Sequence, residues 1–259
     1  MTAPGRRVSW PDGLRLAFSW LTVLPVRGPE EVDRAGAARA IALAPVVGVV
    51  LGAAAAGLTW SLVAAGLSTA LAALLAVGAL AVATRGMHLD GLADTADGLG
   101  SYGPPERARQ IMKGGDVGPF GVAAIVFAVG VPALAFGTAA AEGRWLAIGL
   151  AVALGRVVVV LACRRAPAAP GTGFGSLVAA TQHPATGVVW TVLAAVCAVF
   201  AVPGRAWLGP LVVLVAVAAA LLLVRHCVRR FEGLSGDVLG AAIETTVAVA
   251  AVGFSMVTH

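Results

Sequence analysis

Charge is what this sequence has least of. Aspartate, glutamate, lysine and arginine make up 12% of its 259 residues, against about 25% in an ordinary soluble domain. With 59% hydrophobic residues and a mean hydropathy of +0.92, that shortage excludes a water-soluble globular fold and makes the chain an integral membrane protein. Cysteine is scarce too. Cys163, Cys197 and Cys227 have no metal-like spacing and each falls in or beside an apolar run, so reduced packing thiols are expected. The apolar runs also lack alternation. They are long, uniform and built from Ala, Val, Leu and Gly, which excludes the strands of an outer-membrane barrel and leaves helices whose small residues favour close approach.

Apolar windows long enough to cross about 30 Å of hydrocarbon occur near residues 39–64, 67–84, 117–140, 145–163, 185–203, 207–224 and 236–258. The expected fold is therefore an all-α, polytopic membrane bundle of about seven transmembrane helices, with an acidic cytoplasmic helix between spans two and three. Residues 1–38 form a cytoplasmic N-terminal segment, and 39–259 form one membrane domain that includes a cytoplasmic insertion at 85–117. The run from Leu14 to Val26 contains Arg15 and ends near Pro25 without a small-residue cleavage site, so it reads as an interfacial helix rather than a signal peptide. Basic residues alternate by side. Fifteen fall on the side of the N-terminus and the acidic insertion, and two, Arg144 and Arg205, on the other; Arg156 lies inside a span. This asymmetry places the N-terminus and the insertion in the cytoplasm, and the C-terminus outside, in a prokaryotic inner membrane. The basic residues are not interleaved with aromatics as a nucleic-acid surface would require.

The charge that is present is concentrated. Only 13 acids occur, yet His88-Leu-Asp90-Gly-Leu-Ala-Asp94-Thr-Ala-Asp97-Gly98 holds three of them, spaced four and then three residues apart. At about 100° per residue these carboxylates share one helix face. Such a face is either a solvated loop helix or a site for a hard cation, and Asp90, Asp94 and Asp97 are the candidate Mg²⁺ ligands, because Mg²⁺ takes oxygen donors and bridges to substrate phosphate. His88 points elsewhere on a continuous helix and either orients a phosphate or carboxylate or anchors the interface. The Gly114–Gly121 run beside Lys113 reads as a hinge or as backbone N–H groups offered to phosphate. In the last window Asp237 and Glu244 are seven residues apart on one face. A carboxylate inside a span is a functional candidate; the structural alternative has Asp237 capping the helix and Glu244 paired with Arg156.

At these residues the chain resembles the cobalamin synthase family, adenosylcobinamide-GDP ribazoletransferase. The resemblance is carried by Phe18 to Val26, Gly86 to Gly98, Ile111-Met112-Lys113 with Gly118 and Gly121, and Gly236-Asp237 through Gly240-Ala241 to Glu244. It implies Mg²⁺-dependent transfer, in which α-ribazole or its 5′-phosphate attacks the cobinamide-linked phosphate of adenosylcobinamide-GDP and GMP leaves. Asp90, Asp94, Asp97 and Asp237 would then carry catalysis, with the first three on the metal. His88, Arg109, Lys113, Asp116, Gly118, Gly121 and Glu244 would bind substrate. The family often has Asp-Ser-Arg after Ile-Met-Lys, where this chain has Gly114-Gly115-Asp116, which leaves open whether Asp116 takes the missing acid's place. Besides substrate, membrane lipid is the expected partner, and self-association is left open. Two other readings compete: a CDP-alcohol phosphotransferase of lipid synthesis, whose arginine-containing motif is not matched, and an ion-coupled transporter using Glu244 and the acidic helix.

Overall fold

The computed structural model describes residues 9–29 and 31–256; Arg6, Arg7 and residues 257 and 258 of the seventh apolar window lie outside them. Among the described residues there are eleven helices and no strand. The helix expected over Leu14 to Val26 forms earlier, as α1 (Trp10–Leu21), because Ser9 starts it with a reciprocal capping box to Asp12. It lays Leu16 and Ala17 against α2 (Arg34–Ala64), whose N-cap is Asp33. α3 (Thr69–Ala83) starts at the Ser68 cap and ends at Thr84. There Arg85 and Gly86 take left-handed conformations, with φ of 57° and 67°, and the chain turns by 89° into α4 (Met87–Gly100). The non-glycine at positive φ is held in place: the Arg85 guanidinium donates to the carbonyls of Ser19 and Trp20 at the end of α1, at 3.2 and 2.8 Å.

After the short α5 (Pro105–Met112), Pro119 opens α6 (Pro119–Ala141) and α7 (Trp145–Ala162) follows. α8 (Gly173–Val178) and α9 (Pro184–Ala198) lead to α10 (Leu208–Phe231) and α11 (Gly236–Ser255). α7 is the centre of the bundle, buried along most of its length between α2 and α11. It approaches α2 closely: a Cβ on Gly48 would lie 2.9 Å from the Ala153 carbonyl oxygen. Leu234, between α10 and α11, donates to Pro167 O at 2.7 Å and accepts from Ala169 N at 3.0 Å, fixing the α7–α8 loop beside the start of α11.

Among the described residues the count of about seven spans is not confirmed. α2, α6, α7, α10 and α11 are long and apolar enough to cross a membrane, and the bent pair α3–α4 makes a sixth only if taken as one broken span. α3 and α9 have 15 residues each, or about 22 Å at 1.5 Å per residue, short of about 30 Å of hydrocarbon. Composition windows run across helix ends. The fifth window continued past the end of α9 at Ala198 into the turns that reach Pro203, because those turn residues are apolar too.

Candidate active site

The acidic motif does form a helix, and glycine decides what its acidic face meets. α4 crosses the start of α11 at Gly91 and Gly240: a Cβ on Gly91 would lie 2.7 Å from Asp237 Cα, and one on Gly240 would lie 3.0 Å from the His88 carbonyl oxygen. Only hydrogen at these positions lets the two backbones come this close. The crossing brings Asp237, in the first turn of α11, to the side of Asp90 and Asp94. Ser235, not Asp237, caps α11: the Ser235 hydroxyl accepts from Val238 N and donates to Asp237 Oδ2 at 3.2 Å. Asp90 is exposed and Asp94 half-buried. The Asp94 carboxyl is pushed up to about 6, first by its partial burial and then by the negative charges of Asp90, Asp237 and Asp97.

Asp97 is turned to a different task. Its two oxygens accept from Gly118 N at 2.7 Å and Gly121 N at 2.9 Å, which ties α4 to the N-terminus of α6 and offsets the carboxylate against that helix end. The Gly118 and Gly121 backbone N–H groups, expected to lie against phosphate, are thereby engaged by a carboxylate. Lys113 donates to Gly171 O at 3.2 Å, lines a small cleft with Ser235 and Asp237, and acts electrostatically on Asp237. It is the cation nearest in role to the acidic group. Arg109 is occupied by ion pairs with Glu106 and Glu232 and by a bond to Phe231 O, so it links α5 to the end of α10. Asp116 is exposed in the loop before α6 and makes no hydrogen bond or ion pair among the described residues. Glu244 lies about 10 Å further along α11 than Asp237, at 1.5 Å per residue. It lines a separate cavity of about 40 Å³ with Arg156, and no ion pair joins the two.

Next to Asp90 and Asp237 opens a larger cavity, of about 340 Å³, among α1, α2, α4, α7, α8 and α11. Its walls are mostly apolar and include Trp20 and Phe174, whose rings meet edge to face at 5.1 Å. His88 and Arg156 line it as well, and are in contact: an Arg156 terminal nitrogen lies 3.2 Å from His88 Nδ1. Reasoning on the acids missed this cavity. Its polar signal was nonetheless legible, since Arg156 is an arginine in the middle of an apolar helix; Trp20 and Phe174, by contrast, are distant in sequence and meet only in the fold.

Among the described residues no three His, Cys, Asp or Glu side chains enclose a metal ion. The donor set nevertheless fits a hard divalent cation bound by one or two carboxylates and completed by substrate phosphate, which is the way Mg²⁺ is commonly held. Carboxylates only, partly buried and close enough to one another to raise the Asp94 carboxyl, favour such a cation.

A family model described as cobalamin-5-phosphate synthase matches residues 13–255. A protein of Frankia casuarinae named adenosylcobinamide-GDP ribazoletransferase is 41% identical over 254 residues, covering 90% of this chain and 91% of its own. Proteins of the same name from Corynebacterium efficiens and Bradyrhizobium diazoefficiens are 40% and 34% identical, over 93% and 90% of this chain and 90% and 88% of theirs. No solved structure matches significantly.

Proposed function

Because the chain belongs to the cobalamin-5-phosphate synthase family, we propose that it is a membrane-embedded enzyme of cobalamin synthesis that joins adenosylcobinamide-GDP to α-ribazole, or its 5′-phosphate, with release of GMP. The observation that carries this reading is the meeting of Asp90, Asp94 and Asp237 at the edge of a nucleoside-sized cavity. In the reaction a free ribose hydroxyl of the acceptor, not the 5′-oxygen that the 5′-phosphate form has esterified, bonds through its oxygen to the cobinamide-linked phosphorus, the bond from that phosphorus to the GMP oxygen breaks, and the hydroxyl proton passes to a carboxylate. Asp237 and Asp90 border the cavity and are the groups placed to take that proton. Lys113, beside Asp237, neutralises charge on the phosphate that departs. Asp94 with one of its neighbours, Asp90 or Asp237, would hold Mg²⁺, which supplies charge neutralisation on the diphosphate. Asp97 holds the start of α6 against the acidic helix.

The excess of basic residues on one side supports an inner-membrane protein with the acidic helix facing the cytoplasm. The test is incubation of the detergent-solubilised protein with adenosylcobinamide-GDP, α-ribazole and Mg²⁺. Release of GMP with formation of cobalamin, without any ion gradient, is expected. A protein that releases no GMP but moves a solute across sealed vesicles is a transporter, and this reading fails. The lipid-synthesis alternative is disfavoured by the family to which the chain belongs.

A further inference from the structure

Where α7 and α10 end, four arginines line one groove of about 480 Å³. Arg164 and Arg165 follow the last turn of α7, and Arg225 and Arg229 stand one turn apart near the end of α10. No acid lines the groove, and none of the four side chains makes a hydrogen bond or ion pair among the described residues. Arg230, next in sequence, donates instead to the Ser101 carbonyl. Positive charges gathered without a counter-ion repel one another, and an anion seated among them removes that cost. The floor of the groove is apolar: Leu161 and Leu221 are half-buried there and Val224 is buried. α10 is apolar from Leu208 to Val224, about 25 Å at 1.5 Å per residue, before Arg225 begins its charged end, and α7 closes at Ala162 just before Arg164. The arginines therefore stand where hydrocarbon gives way to headgroups. They lie at the same end as the acidic helix, since Leu234 bonds to Pro167 and Lys113 to Gly171, yet the groove shares no lining residue with the cavities beside Asp90 and Asp237.

We propose that this groove binds an anionic phospholipid, its headgroup phosphate held between the arginines of α7 and α10 and its acyl chains descending over Leu161 and Leu221. Arginine suits the phosphate because its planar fork offers two parallel hydrogen bonds. Basic pockets between membrane helices at the cytoplasmic face are a recurrent form of such a site, and in the orientation proposed above the groove opens to that leaflet. A free phosphate satisfies the charge but leaves the apolar floor in water. A zwitterionic lipid covers the floor but brings its own cation to the arginines. The inference stands apart from the transferase reading, because it uses none of the residues of the acidic site.

The test titrates the full-length protein, freed of lipid in a neutral detergent, with phosphatidylglycerol or phosphatidylcholine and counts bound lipid by native mass spectrometry. Phosphatidylglycerol is expected to bind about tenfold or more tightly, and glycerol phosphate, which has the phosphate without the chains, is expected not to displace it at equal concentration. Arg225→Gln with Arg229→Gln, checked by its melting temperature, is expected to weaken phosphatidylglycerol about tenfold or more and leave phosphatidylcholine unchanged. Arg27→Gln with Arg107→Gln removes the same charge from exposed positions outside the groove and is expected to change neither. Equal binding of the two lipids to the unaltered protein overturns the proposal, and this comparison needs no variant to fold. Undiminished preference in the folded Arg225/Arg229 variant overturns it as well. An equal loss in the Arg27/Arg107 control would reduce the preference to net charge, and displacement by glycerol phosphate would make the groove a site for free phosphate; either result rejects a lipid site. GMP release is not read, so failure here leaves the transferase reading untouched.

Discussion

Asp94 and Asp97 are three residues apart on one helix, and the structure gives them opposite surroundings. Asp94 stands among the carboxylates of Asp90, Asp237 and Asp97, so on the proposed metal reading a proton and a divalent cation would compete for its oxygens. Its carboxyl is raised from 3.8 to about 6 in the folded protein. The folded state therefore holds that proton more tightly than the unfolded chain does, and the metal-free protein loses stability as pH rises through about 6. A cation reverses the loss. Mg²⁺ should raise the melting temperature more at about pH 7.5 than at about pH 5, and Asp94→Asn should remove that difference while cutting kcat/KM by about a hundredfold or more; unaltered turnover in this variant would remove Asp94 from the metal site. Asp97 already has two backbone donors. Asp97→Ala is expected to cost about 1–2 kcal/mol of stability, measured as a lower melting temperature, and to leave the Mg²⁺ dependence of melting intact. If that dependence disappears, Asp97 belongs with the metal ligands after all.

At the scale of elements, the site is the crossing of α4 with α11. The helical face of the acids was legible in the sequence because spacing of four and three residues has only one meaning on an α-helix. The partner of that face was not, because it depends on which two glycines let backbones touch. Gly91→Ala puts a methyl group 2.7 Å from Asp237 Cα and must separate the helices, with turnover falling about a hundredfold for a displacement near 1 Å. Gly78→Ala in α3, where a Cβ meets nothing within 4 Å, is the control and should be neutral. Comparable turnover of the two variants would show that the crossing tolerates movement. The seven apolar windows became five long helices and shorter pieces for a related reason: hydropathy registers how apolar a stretch is, whereas helix ends at Thr84 and Ala198 are set by turns and caps.

For the whole molecule, the bundle gathers its candidate site at one end. α4, α5 and the starts of α6 and α11 gather there, and Tyr102, 96% exposed, marks the loop between α4 and α5. With the excess of arginine on that side, Tyr102→Cys in a Cys197→Ser background should react with an impermeant thiol reagent in inside-out vesicles and not in intact cells. Cys163 and Cys227 are buried and leave the background low. Labelling of intact cells would invert the orientation.

The sequence by itself determined that the chain is a bundle of apolar helices, that its few acids gather on one helix, and which family it belongs to, because composition, periodicity and motif are local properties. Only the tertiary structure decided which acids meet. Asp237 joins Asp90 and Asp94, Asp97 goes to α6, and Glu244 stays two turns deeper beside the smaller cavity. It also decided that His88 and Arg156, 68 residues apart, meet in the wall of one cavity. The reason is physical: a helix face states what it can offer, and the crossing of helices at glycine selects what it is offered to.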